Sequence, residues 1–67
     1  MIGLILVSHS EKITDGIKDL VVEMTKDEVP IISCGGTTDG RLGTSADKIV
    51  DAINELSGCN RILIFTD

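Results

Sequence analysis

Aromatic side chains are almost absent from this 67-residue sequence, in which Phe65 stands alone and neither Trp nor Tyr occurs. The only two cysteines, Cys34 and Cys59, lie far apart and form no Cys-His cluster of zinc spacing. Neither a disulfide scaffold nor a metal-nucleated mini-domain is therefore supported. A single domain of this length has a marginal core and usually needs a staple or a partner.

Long hydrophobic runs and clustered positive charge are lacking too. No apolar run exceeds four residues, whereas a membrane span needs about 20, and no signal-peptide architecture is seen. Six Lys and Arg stand against eleven Asp and Glu, a net charge of −5, and the basic residues are scattered singly. Because binding to a phosphate backbone needs clustered positive charge, we expect no nucleic-acid partner and no membrane association, but a cytoplasmic protein.

Three short apolar segments have the length of strands: Ile2–Val7, residues 29–34 and Arg61–Thr66. They are nearly continuously apolar, which is typical of strands covered by helices on both faces of a parallel sheet. We therefore predict three buried strands.

Two amphipathic helices are predicted between these strands. The first follows Ser10 as N-cap, with Glu11 in its first turn, and the second runs from about Ser45 to Ser57. Their apolar stripes, which we expect to pack in the core, are Ile13, Ile17, Leu20, Val21 and Met24 in the first helix, and Ile49, Val50, Ile53 and Leu56 in the second.

The order strand, helix, strand, helix, strand predicts an α/β fold built on a parallel βαβαβ unit, with residues 1–67 forming one domain. The carboxyl ends of its strands meet at one edge, where α/β proteins bind ligands. That edge carries His9, the loop from Gly35 to Ser45, and Asp67. With the flavodoxin-like strand order 2-1-3, His9 and Asp67 are the expected side-chain pair. A carboxylate there would fix the imidazole tautomer and leave the other nitrogen as nucleophile or base.

Two other chemistries can be considered at this edge. The loop from Gly35 to Ser45 could cradle a phosphate. It fails the P-loop pattern, because Arg41 stands where Lys is required, and Thr38 breaks the dinucleotide fingerprint. Cys34 could form a Cys-His-Asp arrangement suited to thiol chemistry, although a small buried strand-end residue is the simpler interpretation.

The opening Gly3-Leu4-Ile5-Leu6-Val7-Ser8-His9-Ser10, the stretch Gly35-Gly36-Thr37-Thr38-Asp39-Gly40-Arg41-Leu42-Gly43-Thr44-Ser45 and the final Phe65-Thr66-Asp67 carry a resemblance. The sequence resembles the mannose-type enzyme IIA family of the bacterial phosphotransferase system, and within it the phosphotransfer subunits of phosphoenolpyruvate-dependent dihydroxyacetone kinases. The resemblance implies a flavodoxin-like three-layer sandwich and a cytoplasmic homodimer.

The resemblance also implies the roles of residues and partners. His9 would carry a phosphoryl group from the histidine phosphocarrier protein HPr to ADP, and Asp67 would orient His9. ADP and ATP would reside on the nucleotide-binding subunit of the kinase, which works with a dihydroxyacetone-binding subunit, so this chain would hold no cofactor and no metal. The expected surround of the phosphoryl group is Ser10, Gly36, Thr37, Gly43, Thr44 and Ser45.

Members of this family are longer than 67 residues, so the resemblance further implies that the chain is the first part of such a domain, ending after the third strand. The alternative from a different class of protein is a non-catalytic anion-binding or dimerisation module on the same α/β frame.

Overall fold

The structure, a computed structural model, describes residues 1–26 and 28–66. Strands and helices alternate in the predicted order. The elements are β1 (Ile2–Val7), α1 (Glu11–Thr25), β2 (Ile31–Ser33), α2 (Ala46–Glu55) and β3 (Arg61–Thr66).

The three strands form one parallel sheet in the order β2-β1-β3. Leu4 of β1 pairs with Ile31 of β2, and Val7 at the end of β1 pairs with Thr66 at the end of β3. Both neighbours of β1 run in its direction, so the carboxyl ends of the strands lie at one edge. The predicted α/β class and the flavodoxin-like order are confirmed.

Strand β2 is shorter than the predicted segment 29–34. Regular pairing begins after Pro30, which has no N–H to donate. The ladder nevertheless continues past both ends of β2, because Leu4 N–H donates to Pro30 O at 2.9 Å and Cys34 N–H donates to Leu6 O at 2.7 Å.

Helix α2 is also shorter than predicted, ending at Glu55 instead of Ser57. The helix ends in a 3₁₀-type turn, in which hydrogen bonds join residues three apart, such as Ser57 N–H to Asn54 O at 3.2 Å. Such a turn is common at the C-terminus of a helix.

The hydrophobic core lies between β1 and α2. Its buried members are Ile5, Val7, Cys34, Ala52 and Leu56, with Ile49 partly buried beside them. The predicted stripe of α2 is thus correct for Ile49 and Leu56. It is wrong for Val50 and Ile53, which are 55% and 39% exposed, because Ala52 takes the inward position between Ile49 and Leu56.

Most of the stripe predicted for helix α1 is not buried. Four of the five predicted core residues are exposed: Ile13, Ile17, Leu20 and Met24. The least exposed positions are Thr14, Lys18, Val21, Val22 and Thr25, and only Thr14 is fully buried. Thr14 turns inward, where its hydroxyl is hydrogen-bonded to the end of β2. Ile13 and Ile17 border an apolar cavity beside Phe65 of β3 that the described residues leave open, so both side chains stay exposed.

The prediction that β3 is buried is also wrong. Leu63, Ile64 and Phe65 are 45%, 47% and 54% exposed. Among the described residues, strand β3 is an edge strand paired with β1. Helix α1 packs against β2 and β1, and α2 against β1, so β3 contributes only the partly buried Ile62 to the core.

Within the described part of the chain, neither helix combines the length and the apolar character that a membrane crossing would require.

Candidate functional site

The segment that bears His9 follows β1 directly at the carboxyl edge of the sheet. Ser8 is buried, whereas His9 is exposed. Gly36 N–H donates to Ser8 O at 3.1 Å, and Gly43 N–H donates to His9 O at 2.8 Å. Two loop glycines therefore fix the backbone on which the imidazole is mounted, while the ring itself remains accessible to a partner.

The loop from Gly35 to Ser45 lies along this segment and is itself well ordered by hydrogen bonds. Gly36 adopts a φ of 73°, a conformation that favours glycine, and it bridges in parallel to Thr44. Thr37 N–H donates to Arg41 O at 2.9 Å, and Arg41 N–H donates to the Thr37 hydroxyl at 3.1 Å. The loop is thus a compact turn that supports His9.

Gly35 is the point of closest approach between this loop and α1. A Cβ at this position would lie 2.3 Å from the carbonyl oxygen of Ser10 and 2.3 Å from the hydroxyl oxygen of Thr14. Only a glycine lets the chain pass so close to the residue that follows His9.

The structure brings the predicted surround of His9 together in part. Gly36 and Gly43 contact the His9 segment, and both of their N–H groups are committed to backbone carbonyls. Ser10 is the N-cap of α1, although its side chain makes no cap bond. Thr44 is exposed. The Ser45 hydroxyl accepts from Lys48 N–H at 3.4 Å and caps α2. Contact of these residues with a phosphoryl group stays a prediction.

Asp67, the predicted partner of His9, lies outside the described residues. The register shows that Thr66 pairs with Val7, two residues before His9. The orienting role of Asp67 therefore stays a prediction.

Cys34 is a core residue. It is 2% exposed, and its thiol donates to Lys48 O at 3.5 Å. Burial raises the pKa of the Cys34 thiol, and the nearby charges of Lys48, which lowers it, and Glu55, which raises it, contribute less. A thiol with a raised pKa is a poor nucleophile near neutral pH, so the structure favours the simpler interpretation over thiol chemistry.

Three residues near the site were missed by sequence reasoning. The Lys48 ammonium donates to Gly35 O at 2.8 Å, and the hydroxyls of Thr14 and Ser33 lie 2.6 Å apart between α1 and β2. A hydroxyl in a helix ordinarily faces water, and the only signal in the sequence was that Thr14 adjoins the apolar stripe.

An open cavity of about 480 Å³ begins at Ser10, beside His9. Its other walls are Glu11, Lys12, Asp15, Gly40, Arg41 and Leu42. Two acidic and two basic side chains offset each other, so its charge does not select an anion. Among residues 1–26 and 28–66 no group of His, Cys, Asp or Glu could hold a metal ion.

The site belongs to an α/β protein with a flavodoxin-like parallel sheet and an exposed histidine directly after its central strand, β1. The model of the EIIA-man family, described as the PTS system fructose IIA component, matches residues 3–67. The chain belongs to the EIIA-man family, which confirms the resemblance found in its sequence.

Two curated relatives make the match more specific. The chain is 54% identical over 67 residues to "PEP-dependent dihydroxyacetone kinase 2, phosphoryl donor subunit DhaM" of Listeria innocua. This alignment covers 100% of the chain and 54% of that relative. The chain is 36% identical over 63 residues to "PTS-dependent dihydroxyacetone kinase, phosphotransferase subunit DhaM" of Lactococcus lactis. This second alignment covers 94% of the chain and 50% of that relative. The chain spans about half the length of these relatives.

A solved structure has the same fold. The crystal structure of EF1359, described as a protein of unknown function, superposes with a TM-score of 0.85 at 48% identity. The match covers 98% of this chain and 51% of the other.

Proposed function

We propose that this chain is a phosphoryl carrier of a phosphoenolpyruvate-dependent dihydroxyacetone kinase. In this proposal His9 accepts a phosphoryl group from HPr and passes it to ADP on the nucleotide-binding subunit of the kinase. Membership of the EIIA-man family supports the proposal, as do the relatives named as phosphoryl donor subunits. The observation that carries it is the exposed imidazole of His9 on a backbone held by Gly36 and Gly43.

His9 suits transfer between two proteins. It is the only histidine of the sequence, and its exposure allows two partners to reach the ring in turn. Its backbone is held on both sides by hydrogen bonds, so little orientational freedom must be lost when a partner docks. Because phosphoryl transfer depends mainly on positioning and charge stabilisation, a fixed but accessible imidazole is what a carrier needs.

The proposed transfer has two balanced steps. A ring nitrogen of neutral His9 attacks the phosphorus of phosphorylated HPr, a new N–P bond forms, and the N–P bond of the donor breaks with its electron pair returning to the donor imidazole. A terminal phosphate oxygen of ADP then attacks the phosphorus on His9. The N–P bond of His9 breaks, ATP forms, and the imidazole is restored.

Asp67 has the proposed role of orienting His9 by accepting a hydrogen bond from one ring nitrogen. The pairing of Val7 with Thr66 supports this role, since the ends of β1 and β3 are neighbours in the sheet.

The proposed partners are HPr and the nucleotide-binding and dihydroxyacetone-binding subunits of the kinase, with the chain acting in the cytoplasm as a homodimer. The exposed apolar residues of β3 and α1 support self-association. The nucleotide is bound by the partner subunit in this scheme, so the chain itself needs no cofactor.

Labelling with radioactive phosphoenolpyruvate, the general enzyme of the phosphotransferase system and HPr tests the assignment. We expect an acid-labile, base-stable phosphate that is absent from His9→Gln. This variant should fold normally, because substitutions at exposed positions away from structural features usually change stability by less than about 0.5 kcal/mol. Label that persists in His9→Gln would refute the role of His9. Phosphate binding without any labelling would instead favour an anion-binding module.

The role of Asp67 is tested by Asp67→Asn, with Asp19→Asn as control because Asp19 is an exposed acidic residue of α1. We expect slower labelling of His9 only in Asp67→Asn. Equal rates in both variants would contradict an orienting carboxylate.

A further inference from the structure

A short chain of hydrogen bonds joins the start of α1 to the end of β2. Gly35 N–H donates to the Thr14 hydroxyl oxygen at 3.0 Å. The hydroxyl oxygens of Thr14 and Ser33 lie 2.6 Å apart, and the Ser33 hydroxyl lies 2.5 Å from an oxygen of the Asp15 carboxylate. These four groups form one continuous path.

The chemistry of the groups fixes the donor at one end of this path. An ionised carboxylate can only accept, and each hydroxyl has one proton to donate. The Thr14 hydroxyl lies 3.2 Å from Glu11 O in its own helix as well as beside Ser33, and the Ser33 hydroxyl has Thr14 and Asp15 as its two neighbours. In every arrangement of these protons Gly35 N–H donates to the Thr14 hydroxyl oxygen. Thr14 is 1% exposed, so water cannot replace its hydroxyl as the acceptor for Gly35 N–H. Removing the hydroxyl would leave this buried N–H unpaired, at a high cost in free energy.

The path ends beside the His9 segment. Gly35 passes so close to Ser10 that a Cβ would lie 2.3 Å from the Ser10 carbonyl oxygen. The next residue, Gly36, donates its N–H to Ser8 O at 3.1 Å. A displacement of Gly35 is therefore transmitted to both residues that flank His9.

We propose that Thr14 is a positioning residue for His9, acting through the hydrogen-bonded path from Gly35 through Thr14 and Ser33 to Asp15. The hydroxyl of Thr14 fixes the first turn of α1 against the end of β2, and this contact fixes the backbone of Ser8 to Ser10. The consequence for transfer rate rests on the proposed function, whereas the consequence for backbone geometry does not.

The test compares three variants in the full-length protein. Thr14→Val removes the hydroxyl at nearly constant volume, and Thr14→Ser restores it. Thr25→Val is the matched control, because Thr25 also lies on α1 and its hydroxyl donates to Val21 O at 3.0 Å, at the opposite end of the helix from His9.

The first readout is the kinetics of His9 phosphorylation by HPr. We expect kcat to fall about tenfold in Thr14→Val with KM for HPr within about twofold, since small misplacements of a reacting group reduce rate strongly. Thr14→Ser should recover most of the loss, and Thr25→Val should match the wild type. Equal losses in Thr14→Val and Thr25→Val would overturn the proposal, because a general loss of helix stability would then explain both.

The second readout needs no phosphorylation. The amide resonances of Gly36 and Gly43, which are bonded to the carbonyls of Ser8 and His9, should shift in Thr14→Val and return in Thr14→Ser. Unchanged resonances in a folded Thr14→Val would overturn the proposal. If wild-type His9 is not phosphorylated, the proposed function fails and these resonances alone decide the role of Thr14.

Ser33→Ala provides a second break in the path if Thr14→Val does not fold. It should lower kcat and shift the same two amide resonances, because the Thr14 hydroxyl loses its hydrogen-bond partner on β2. A folded Ser33→Ala with wild-type kcat and wild-type resonances would likewise overturn the proposal.

Discussion

Replacing Gly35 by alanine is the sharpest single perturbation of the candidate site. The new Cβ would lie 2.3 Å from the Ser10 carbonyl oxygen and 2.3 Å from the Thr14 hydroxyl oxygen, about 1 Å short of ordinary van der Waals separation. The first of these neighbours is backbone, so rotation of a side chain cannot relieve the contact. The loop must move away from α1, and the bond from Gly35 N–H to Thr14 must lengthen or break.

Two costs contribute to the expected loss of stability. Overpacking of this kind costs about 1–3 kcal/mol, and loss of the hydrogen bond adds about 1 kcal/mol. We therefore expect Gly35→Ala to lower the free energy of unfolding by about 2–4 kcal/mol. That is a large share of the roughly 3–10 kcal/mol expected for a chain of this size.

Urea denaturation of Gly35→Ala measures this loss, and Gly16→Ala is its matched control. Gly16 lies inside α1, and a Cβ there would have no neighbour within 4 Å. Alanine at this helical position should raise the free energy of unfolding by about 0.5–1 kcal/mol. Opposite signs for the two substitutions are the expected result. A Gly35→Ala variant as stable as the wild type would refute the close approach of the loop to α1.

Three further outcomes are expected. Iodoacetamide should alkylate partly exposed Cys59 well before buried Cys34, and comparable rates in the folded protein, measured by mass spectrometry, would contradict the burial of Cys34. Because burial raises the pKa of the Cys34 thiol above its ordinary value of 9.0, the unfolded chain loses this proton first. The free energy of unfolding should therefore fall as pH rises through about 9, and fall less in Cys34→Ala. Lys48→Met removes the hydrogen bond to Gly35 O and should lower the free energy of unfolding by about 1–2 kcal/mol. Lys12→Met, at an exposed position, should change the free energy of unfolding by less than about 0.5 kcal/mol in the same urea assay.

The elements whose order and length were predictable are those with strong local signals. Strands β1 and β3 have the predicted bounds because their nearly continuous apolar runs end at polar residues. The N-terminus of α2 is set by Ser45, whose hydroxyl caps the first turn. The position of His9 at the carboxyl edge of the sheet was predictable because the carboxyl ends of parallel strands share an edge.

The inward face of α1 was not predictable from periodicity. The stripe through Ile13, Ile17 and Met24 has helical spacing, yet these side chains are exposed. Apolar spacing identifies the face of a helix that is suited to burial, but whether that face is covered depends on the elements around it. Ile13 and Ile17 border an open apolar cavity beside Phe65. The buried position is Thr14, whose partners Gly35 and Ser33 lie about 20 residues away in sequence.

The sequence by itself determined the alternation of strands and helices, the parallel direction of the sheet and the position of the histidine at its carboxyl edge, because each depends on local composition or on the length of a connection. Only the tertiary structure decided which face of α1 turns inward and how Gly36 and Gly43 hold the His9 segment. These features depend on hydrogen bonds between residues distant in sequence, whose partners are fixed only when the sheet and helices have packed.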